Sequence, residues 1–200
     1  MSLIYNPSTV AIPANSAIGT YNLADNPNLY EPQRSNNFEL IISDFDNLPL
    51  AGSSLSNTNR LVRGQEIIRM SVSSAFVPHF TQDVLRIRRG NTELKYAGVP
   101  TFDAGQIVVN DYIGARTKDY LMAWQNLSYN VATEKVGLVQ DYKKNCTLIE
   151  YSPDYQRVRS WTLYGCWISA ISEDSFDSDT NSTRKISATI QYDHARVDLD

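Results

Sequence analysis

The sequence is poor in the residues that usually carry catalysis or metal binding. It has two histidines and two cysteines among 200 residues, and neither His79 nor His194 has the spacing of a metal-ligand pair. So few and so scattered, these residues do not form a zinc motif. The stretch 177–181 begins like a calcium loop, but Ser182 stands where that loop requires glycine and Ala188 where it requires a bidentate glutamate. We therefore predict no catalytic, cofactor-binding or metal-binding residue.

Other absences limit the class of protein. The sequence contains no Gly-rich phosphate loop and no Gly-x-Ser-x-Gly elbow, which argues against nucleotide-binding enzymes and hydrolases. A formal net charge of −4 argues against a protein that grips nucleic acid electrostatically. No window approaches the ~20 apolar residues needed to cross a bilayer, and Met1 to Thr20 resembles no secretory signal because it lacks basic residues and an apolar core. These absences predict a soluble, intracellular, non-enzymatic protein.

The apolar residues are sufficient for a core. Hydrophobic residues make up 42% of the chain and aromatic residues 10%, including twelve tyrosines, which favour strands and interfaces. Cys146 and Cys166 fall in neighbouring predicted strands. A cross-strand disulfide is geometrically possible there, but two buried thiols in a reducing compartment are favoured.

The C-terminal part, Tyr142 to Tyr192, predicts three strands. The last has the clearest pattern, because one face carries Ile186, Ala188, Ile190 and Tyr192 while the other carries Lys185, Ser187, Thr189 and Gln191. Val158 to Ile168 has apolar residues at both odd and even positions. This pattern predicts a strand covered on one face by the core and on the other by a neighbouring subunit. Tyr142–Tyr151 is the third strand, and Ser152–Tyr155 predicts a turn.

The N-terminal part predicts an arm followed by one domain. Residues 1–35 are rich in Asn, Pro, Ser and Ala, so they form an extended arm that is either a frayed tail or orders against a partner subunit. Residues 36–200 form a single domain. Within it, Asn37–Ser43 and Gln65–Val77 predict strands, the second with Ile68, Met70, Val72, Ser74 and Phe76 on one face. The intervening Asp44–Gly64 predicts a long polar loop, and loops of that length are usually functional.

A basic hairpin is predicted over Val84 to Ala97. Gly90-Asn91 at its tip suits a type II′ turn. Its four cations are Arg86, Arg88, Arg89 and Lys95. They are interpreted either as charge that protects an exposed edge or as a complement to an acidic patch on another subunit, in preference to a nucleic-acid contact.

One helix is predicted after the hairpin. Phe102–Val109 predicts a strand, and Asp111 occupies the position of an N-cap for a helix that runs to about Asn126. A stripe at helical spacing contains Ile113, Tyr120, Leu121, Trp124 and Leu127. This stripe predicts a core face anchored by Trp124, and Ser128–Gly137 predicts a polar connection. One helix against a β-barrel or sandwich is the expected architecture.

The order of these pieces resembles a known family. The residues that carry the resemblance are Asn36-Asn37-Phe38, Ser74-Ala75-Phe76-Val77-Pro78, Tyr96-Ala97-Gly98, Thr101-Phe102-Asp103, the helix ending at Trp124, Tyr142-Lys143-Lys144, Gly165-Cys166-Trp167 and the last alternating strand. Together, over about Asn36 to Val197, they resemble the tail tube proteins of contractile-tailed bacteriophages. Many relatives have proline after the tryptophan where this chain has Ile168, which fits either a distant branch or a specialised end-of-tube ring.

The resemblance implies a structural virion protein with no cofactor. It implies a β-barrel-like sandwich with one flanking helix, forming hexameric rings that stack into a tube, with sheath, baseplate and tape-measure proteins as partners and a channel for transient, non-specific passage of DNA. Assembly in the host cytoplasm and a place in the virion tail follow from the same resemblance. The same fold implies two alternatives, a baseplate or tube-end ring and a secreted type VI-like ring protein.

Overall fold

The computed structural model describes residues 32–49, 64–176, 179 and 181–199. The described chain contains eleven strands: β1 (Phe38–Ile42), β2 (Val72–Ser74), β3 (Phe80–Arg89), β4 (Thr92–Phe102), β5 (Gly105–Asn110), β6 (Tyr129–Asn130), β7 (Lys135–Val136), β8 (Lys144–Tyr151), β9 (Arg157–Glu173), β10 (Lys185–Gln191) and β11 (His194–Leu199). The helices of the described chain are α1 (Gly64–Ser71), α2 (Thr117–Ser128), α3 (Val139–Tyr142) and a 3-10 turn (Phe45–Asn47). The fold is mainly β, as predicted, although helices flank the sheet in three places and not in one.

Strand β9 joins two antiparallel sheets into a half-barrel. Its first half pairs with β8 and β11, and β8 pairs in turn with β1; we name these four the β8 sheet. Its second half pairs with β10, which continues through β5 to β2; we name these the β10 sheet. The apolar faces of both sheets meet α1 and α2 in one core. The strands β3 and β4 form a separate hairpin outside this arrangement.

A bulge at Gly165 explains why apolar residues at both odd and even positions of β9 are buried. Leu163 lies opposite Cys146, but Lys144 lies opposite Cys166, so β9 has one extra residue between the two pairs. Gly165 has a left-handed φ of +67°. Because the extra residue inverts the alternation, Leu163 and Cys166 face the same core. The prediction that this strand is covered on both of its faces is therefore wrong for these residues, because they all face the core.

Replacing Gly165 with alanine should destabilise the fold more than replacing Gly90. Both glycines have positive φ, +67° and +65°, so each alanine variant carries a left-handed cost of about 1–2 kcal/mol. A Cβ at Gly165 would also meet Asp193 Oδ2, whereas a Cβ at Gly90 meets nothing within 4 Å. We expect Gly165→Ala to lower the free energy of unfolding by about 2–4 kcal/mol in urea denaturation. Equal losses in the two variants would contradict a role for the contact with Asp193.

The strand predicted over Gln65–Val77 is wrong for its first part. Residues Gly64–Ser71 form helix α1, and only Val72–Ser74 are a strand. The buried residues of α1 are Gly64, Ile67, Ile68 and Ser71, a helical i, i+3, i+4, i+7 stripe, while Met70 is 75% exposed. Asp46 Oδ1 accepts a 2.9 Å hydrogen bond from the backbone N–H of Gln65 and so satisfies one of the free donors at the start of the helix.

The predicted helix begins later than expected. Asp111 continues the sheet, because its N–H donates to the Arg184 carbonyl at 3.0 Å. A turn then closes between Tyr112 and Arg116, with Arg116 in a left-handed conformation, and α2 begins at Thr117. Ile113 is 98% exposed and is not part of the core stripe. Asp111 as an N-cap is therefore wrong.

The remaining boundaries differ locally. The strand predicted over Phe102–Val109 is interrupted at Asp103 and Ala104, between β4 and β5, and Ser128–Gly137 contains the short hairpin β6–β7. The Tyr142–Tyr151 prediction is confirmed from Lys144 onwards, but Tyr142 ends α3. The turn at Ser152–Tyr155 is confirmed by a 2.9 Å hydrogen bond from the N–H of Tyr155 to the Ser152 carbonyl. The alternation of β10 is confirmed, with Ile186, Ala188, Ile190 and Tyr192 buried.

Trp124 is the largest fully buried side chain of the described core. Its ring packs edge-on against Phe45 with centroids 6.0 Å apart, and its Nε1 donates to the Tyr142 carbonyl at 2.8 Å. Phe45 and Leu48 are buried although they lie in the predicted polar loop Asp44–Gly64, whose residues 50–63 are outside the described part. Most of the predicted arm 1–35 is also outside the described residues. No described helix has the length and apolar character to cross a membrane.

Candidate assembly surface

The long hairpin β3–β4 leaves almost all of its side chains exposed. Every residue of β3 is exposed, as are nine of the eleven residues of β4. Among the described strands, each of the two pairs only with the other. The tip is the predicted Gly90-Asn91 turn, and Gly90 has the positive φ that a type II′ turn requires at its first position. A two-stranded hairpin is marginal in water on its own, so this hairpin needs support from outside its own pair.

One face of the hairpin is apolar. Leu85 lies opposite Tyr96 and Ile87 lies opposite Leu94, so four apolar side chains form two adjacent cross-strand pairs. All four are exposed. A contiguous exposed apolar face of this kind indicates a surface that another protein covers. Sequence reasoning found the hairpin and missed this face, although the alternation Leu85-Arg86-Ile87-Arg88 signals it.

The opposite face of the hairpin is basic. Arg86 lies opposite Lys95, and Arg88 lies opposite Glu93. Arg86 Nε is also 3.5 Å from Glu93 Oε1, an exposed ion pair. Three of the four predicted cations, Arg86, Arg88 and Lys95, therefore lie on the face away from the apolar pairs, where they keep one side of an exposed strand pair hydrated, while Arg89 lies at the tip on the apolar side.

An aromatic cluster fixes the root of the hairpin to the β10 sheet. The Tyr192 ring stacks on Phe76 with centroids 5.7 Å apart and meets Phe102 edge-on at 5.9 Å, and Phe102 in turn contacts Phe80 at 5.8 Å. The Tyr192 hydroxyl donates to the His79 carbonyl at 3.2 Å. Burial raises the pKa of this hydroxyl, which keeps it a neutral donor. The hairpin is thus held at a defined orientation to the sheet.

Ion pairs link the start of α2 to one end of the β10 sheet. Lys118 Nζ lies 2.7 Å from Glu173 Oε1, and Arg184 pairs with the other Glu173 oxygen. The hydrogen bond from Lys118 is the main cause that lowers the pKa of Glu173; desolvation opposes it, and the charges of Lys118 and Arg184 lower the pKa further. Arg184 also lies over the Phe176 ring at 4.4 Å. Two cations therefore balance the negative charge of Glu173 at this end of the sheet.

The edges of the two sheets form a further exposed surface. The strands β1, β11 and β2 lie at the sheet edges, with no pairing to a further described strand. On β1, Glu39 accepts a 2.7 Å hydrogen bond from Tyr151 and pairs with Arg69. The bond to Glu39 raises the pKa of the Tyr151 hydroxyl. Edge strands of this kind pair readily with another chain.

The outer face of strand β10 is polar and almost uncharged. The predicted face Ser187, Thr189 and Gln191 is confirmed as the side opposite the buried isoleucines of β10. On the neighbouring strands this face continues with Ser172 and Ala170 of β9 and with Val108 and Gln106 of β5, which are uncharged and partly apolar. Lys185 is the charged residue of β10 on this side, at the end of the strand.

The described residues hold no group of three or more His, Cys, Asp or Glu arranged for a metal ion. His79 is instead 3.5 Å from Asp103 at the hairpin root, and His194 stacks on Tyr164. Both sites are contacts between neighbouring elements of the fold.

Comparison with known proteins identifies the family. Residues 61–196 match the family model described as T4-like virus tail tube protein gp19. The chain belongs to this tail tube protein family. As a family member it is a structural tube protein and not an enzyme. No curated protein sequence matches the chain.

Solved structures share the fold of this tail tube protein at low sequence identity. A chain of the PVC sheath–tube complex of an extracellular contractile injection system superposes with a TM-score of 0.60 and 15% identity, covering 90% of this chain and 100% of that one. A chain of the tube-terminating cap of the anti-feeding prophage gives a TM-score of 0.58 at 16% identity, covering 84% and 92%. A chain of the anti-feeding prophage baseplate gives 0.57 at 12% identity, covering 83% and 95%.

Proposed function

We propose that this tail tube protein forms hexameric rings that stack into the tube of a bacteriophage tail and line the channel for genome ejection. The observation that carries the proposal is the match of residues 61–196 to the tail tube family. The exposed apolar face of the β3–β4 hairpin supports it, because a tube subunit must cover such a face with a neighbouring copy.

A ring that stacks needs two kinds of contact. Lateral contacts within a ring require a heterologous interface, in which different surfaces of the same chain meet. The sheet edges β1, β2 and β11 suit these contacts because they offer unpaired backbone groups. The hairpin suits the contact between rings because it extends beyond the two sheets as a separate strand pair.

The outer face of the β10 sheet is our candidate for the channel lining. Ser187, Thr189 and Gln191 present hydroxyl and amide groups without charge, so they offer no cation that would hold a phosphate. The chain as a whole has a formal charge of −4, so a ring of six copies is negative and repels DNA further. Such a lining would let nucleic acid slide without sticking.

The partners and location of the tube follow from the same role. The sheath–tube, cap and baseplate assemblies of the structural neighbours support sheath and baseplate proteins as partners. A tape-measure protein and passing DNA would occupy the channel. Subunits would assemble in the host cytoplasm and remain in the virion tail.

A tube-end ring is the second candidate function. The anti-feeding prophage cap and baseplate chains superpose on this chain almost as well as the tube complex does. A protein in this role would form one closed ring and would not polymerise.

Negative-stain electron microscopy of the purified chain over a concentration series tests the proposal. We expect hollow tubes or stacked rings, and a helical reconstruction should place Ser187, Thr189 and Gln191 toward the axis. Single closed rings at every concentration would favour the tube-end role instead. A chain that stays monomeric even with sheath and baseplate components added would overturn the tail tube proposal.

A further inference from the structure

A second group of exposed apolar side chains lies beyond the end of α2. Tyr129 on β6 lies opposite Val136 on β7, and the two are 47% and 77% exposed. Val131 in the turn between these strands is exposed as well, as are Leu138 and Val139 at the start of α3. We name these five side chains the β6–β7 patch. Apolar residues grouped in this way on a surface indicate a contact with another protein.

Backbone contacts hold the β6–β7 patch in place. The N–H of Gly137 donates to the Ser128 carbonyl at 3.0 Å, and a Cβ at Gly137 would collide with the Leu127 carbonyl oxygen. Asn130 Oδ1 closes the turn, because it accepts hydrogen bonds of 3.0 and 3.2 Å from the backbone N–H groups two and three residues further on. A surface that is already ordered in the single chain loses less conformational entropy when a partner covers it.

The β3–β4 hairpin of another copy is the occupant that matches this patch. A heterologous interface joins two different surfaces of the same chain, and the apolar face of the hairpin is one such surface. Outside the hairpin, the exposed large apolar side chains of the described residues occur singly or in pairs along the sequence, as at Met70 and Phe176, except in the β6–β7 patch, which has five. The patch is therefore the described surface best suited to cover the hairpin.

The charges of the two surfaces are complementary. The hairpin 80–102 carries four cations and two anions, a formal charge of +2, whereas residues 129–142 carry two anions and one cation, a formal charge of −1. Arg89 is exposed at the tip of the hairpin on its apolar side, and Glu134 is exposed in the turn between β6 and β7. Opposite charges beside an apolar contact favour one orientation of the two partners.

We propose that the apolar face of the β3–β4 hairpin docks on the β6–β7 patch of a neighbouring copy, with Arg89 beside Glu134. The inference rests on the proposed function, because it assigns the two surfaces that join successive rings of the tube. Every copy carries both surfaces at different places on the chain, so the contact repeats without closing and continues the stack.

Cross-linking between two cysteine variants tests the contact. Leu94→Cys and Val136→Cys are purified separately, mixed, assembled and treated with a short bis-maleimide, so that a link between positions 94 and 136 must join two copies. The native Cys146 and Cys166 are free thiols that are 1% and 0% exposed, so wild-type tubes should give no linked species. We expect mass spectrometry to find the link between positions 94 and 136. A control mixture of Leu94→Cys with Phe176→Cys, at a position that is 87% exposed, should give no link between positions 94 and 176.

Charge reversal provides a second test that needs no cysteine variant. We expect Arg89→Glu and Glu134→Arg each to raise the critical concentration for assembly by about 5-fold, because each variant places two like charges together. The double variant restores an opposite-charge pair, so its critical concentration should return to within about 2-fold of the wild-type value. Sedimentation measures the critical concentration, and circular dichroism checks that each variant is folded.

Three results would overturn the contact and leave the proposed function intact. They are tubes or rings that form without the link between positions 94 and 136, a double charge reversal that assembles no better than the single variants, and a link from position 136 to added sheath protein in place of the hairpin. If the wild-type chain forms neither tubes nor rings even with sheath and baseplate components, the proposed function fails and this contact fails with it.

Discussion

Replacing Ile87 and Leu94 together with serine should strongly weaken tube assembly while leaving the subunit folded. The two side chains lie opposite each other on the apolar face of the β3–β4 hairpin and are exposed in the single chain. Covering them with a neighbouring copy removes two apolar side chains from water, worth about 1.5–3 kcal/mol each when burial is complete. Losing that contribution should raise the critical concentration for assembly by roughly 100-fold or more.

The hairpin offers a matched control on its other face. Arg86 and Lys95 are also a directly opposed pair, one residue away from Ile87 and Leu94 on each strand. The double variant Arg86→Ser, Lys95→Ser removes the same number of side chains from the basic face. We expect it to change the salt dependence of assembly with less than about a 10-fold change in critical concentration, because exposed charges contribute little to affinity.

Sedimentation of assembled tubes at increasing protein concentration measures both variants. Circular dichroism during heating reports whether each subunit remains folded, and we expect only small shifts because neither pair belongs to the core. If the apolar-face variant assembles at the wild-type critical concentration, that face is not covered in the tube. If the basic-face variant has the larger effect, charge drives the contact instead.

Replacing Trp124 with alanine should cause the largest loss of stability of any single core substitution that we consider. The side chain is 1% exposed and contacts Phe45, while its Nε1 donates to the Tyr142 carbonyl. Truncation leaves a large cavity and an unpaired carbonyl, at a cost of about 3–5 kcal/mol. Since domains are stable by only about 5–15 kcal/mol, we expect the midpoint of thermal unfolding to fall by roughly 10 °C.

Two further tryptophan variants separate the contribution of the Trp124 hydrogen bond from the contribution of its burial. Trp124→Phe keeps most of the packing and removes the hydrogen bond to Tyr142, so it should cost about 1–3 kcal/mol in urea denaturation. Trp167→Ala removes the same side chain from a half-buried site beside the Tyr142 ring, 6.2 Å away. Its loss should be clearly smaller than that of Trp124→Ala. Equal losses at Trp124 and Trp167 would show that burial of Trp124 does not anchor the core.

Local sequence patterns predicted those elements whose conformation does not depend on contacts with residues distant in sequence. The alternation of apolar and polar residues in β10 identifies its buried face, because successive side chains of a strand point to opposite sides of the sheet. Gly90-Asn91 identifies the tip of the hairpin, because glycine adopts a positive φ at little cost in free energy. The sequence also contains the helical spacing of the buried residues of α1, which are Gly64, Ile67, Ile68 and Ser71. The competing alternation through Met70 and Val72, however, predicts a strand.

The candidate surface was predicted in part. The basic side of the hairpin and the polar face of β10 follow from their residue types and spacing. The apolar side of the hairpin was missed, since apolar residues in a strand are usually read as core. Only the folded chain shows that this strand pair lies outside both sheets, so that Leu85, Ile87, Leu94 and Tyr96 have no core to enter.

Sequence patterns alone predicted a β-rich tail tube subunit with a charged hairpin and one long amphipathic helix. Three further features depend on how the chain folds. Asp111 joins the sheet through the Arg184 carbonyl instead of capping α2, and β11 pairs with β9 across the chain. Gly165 inserts a bulge that turns Cys166 into the core beside Cys146. Each depends on a hydrogen-bond partner distant in sequence, and local periodicity carries no information about which distant backbone group will be there.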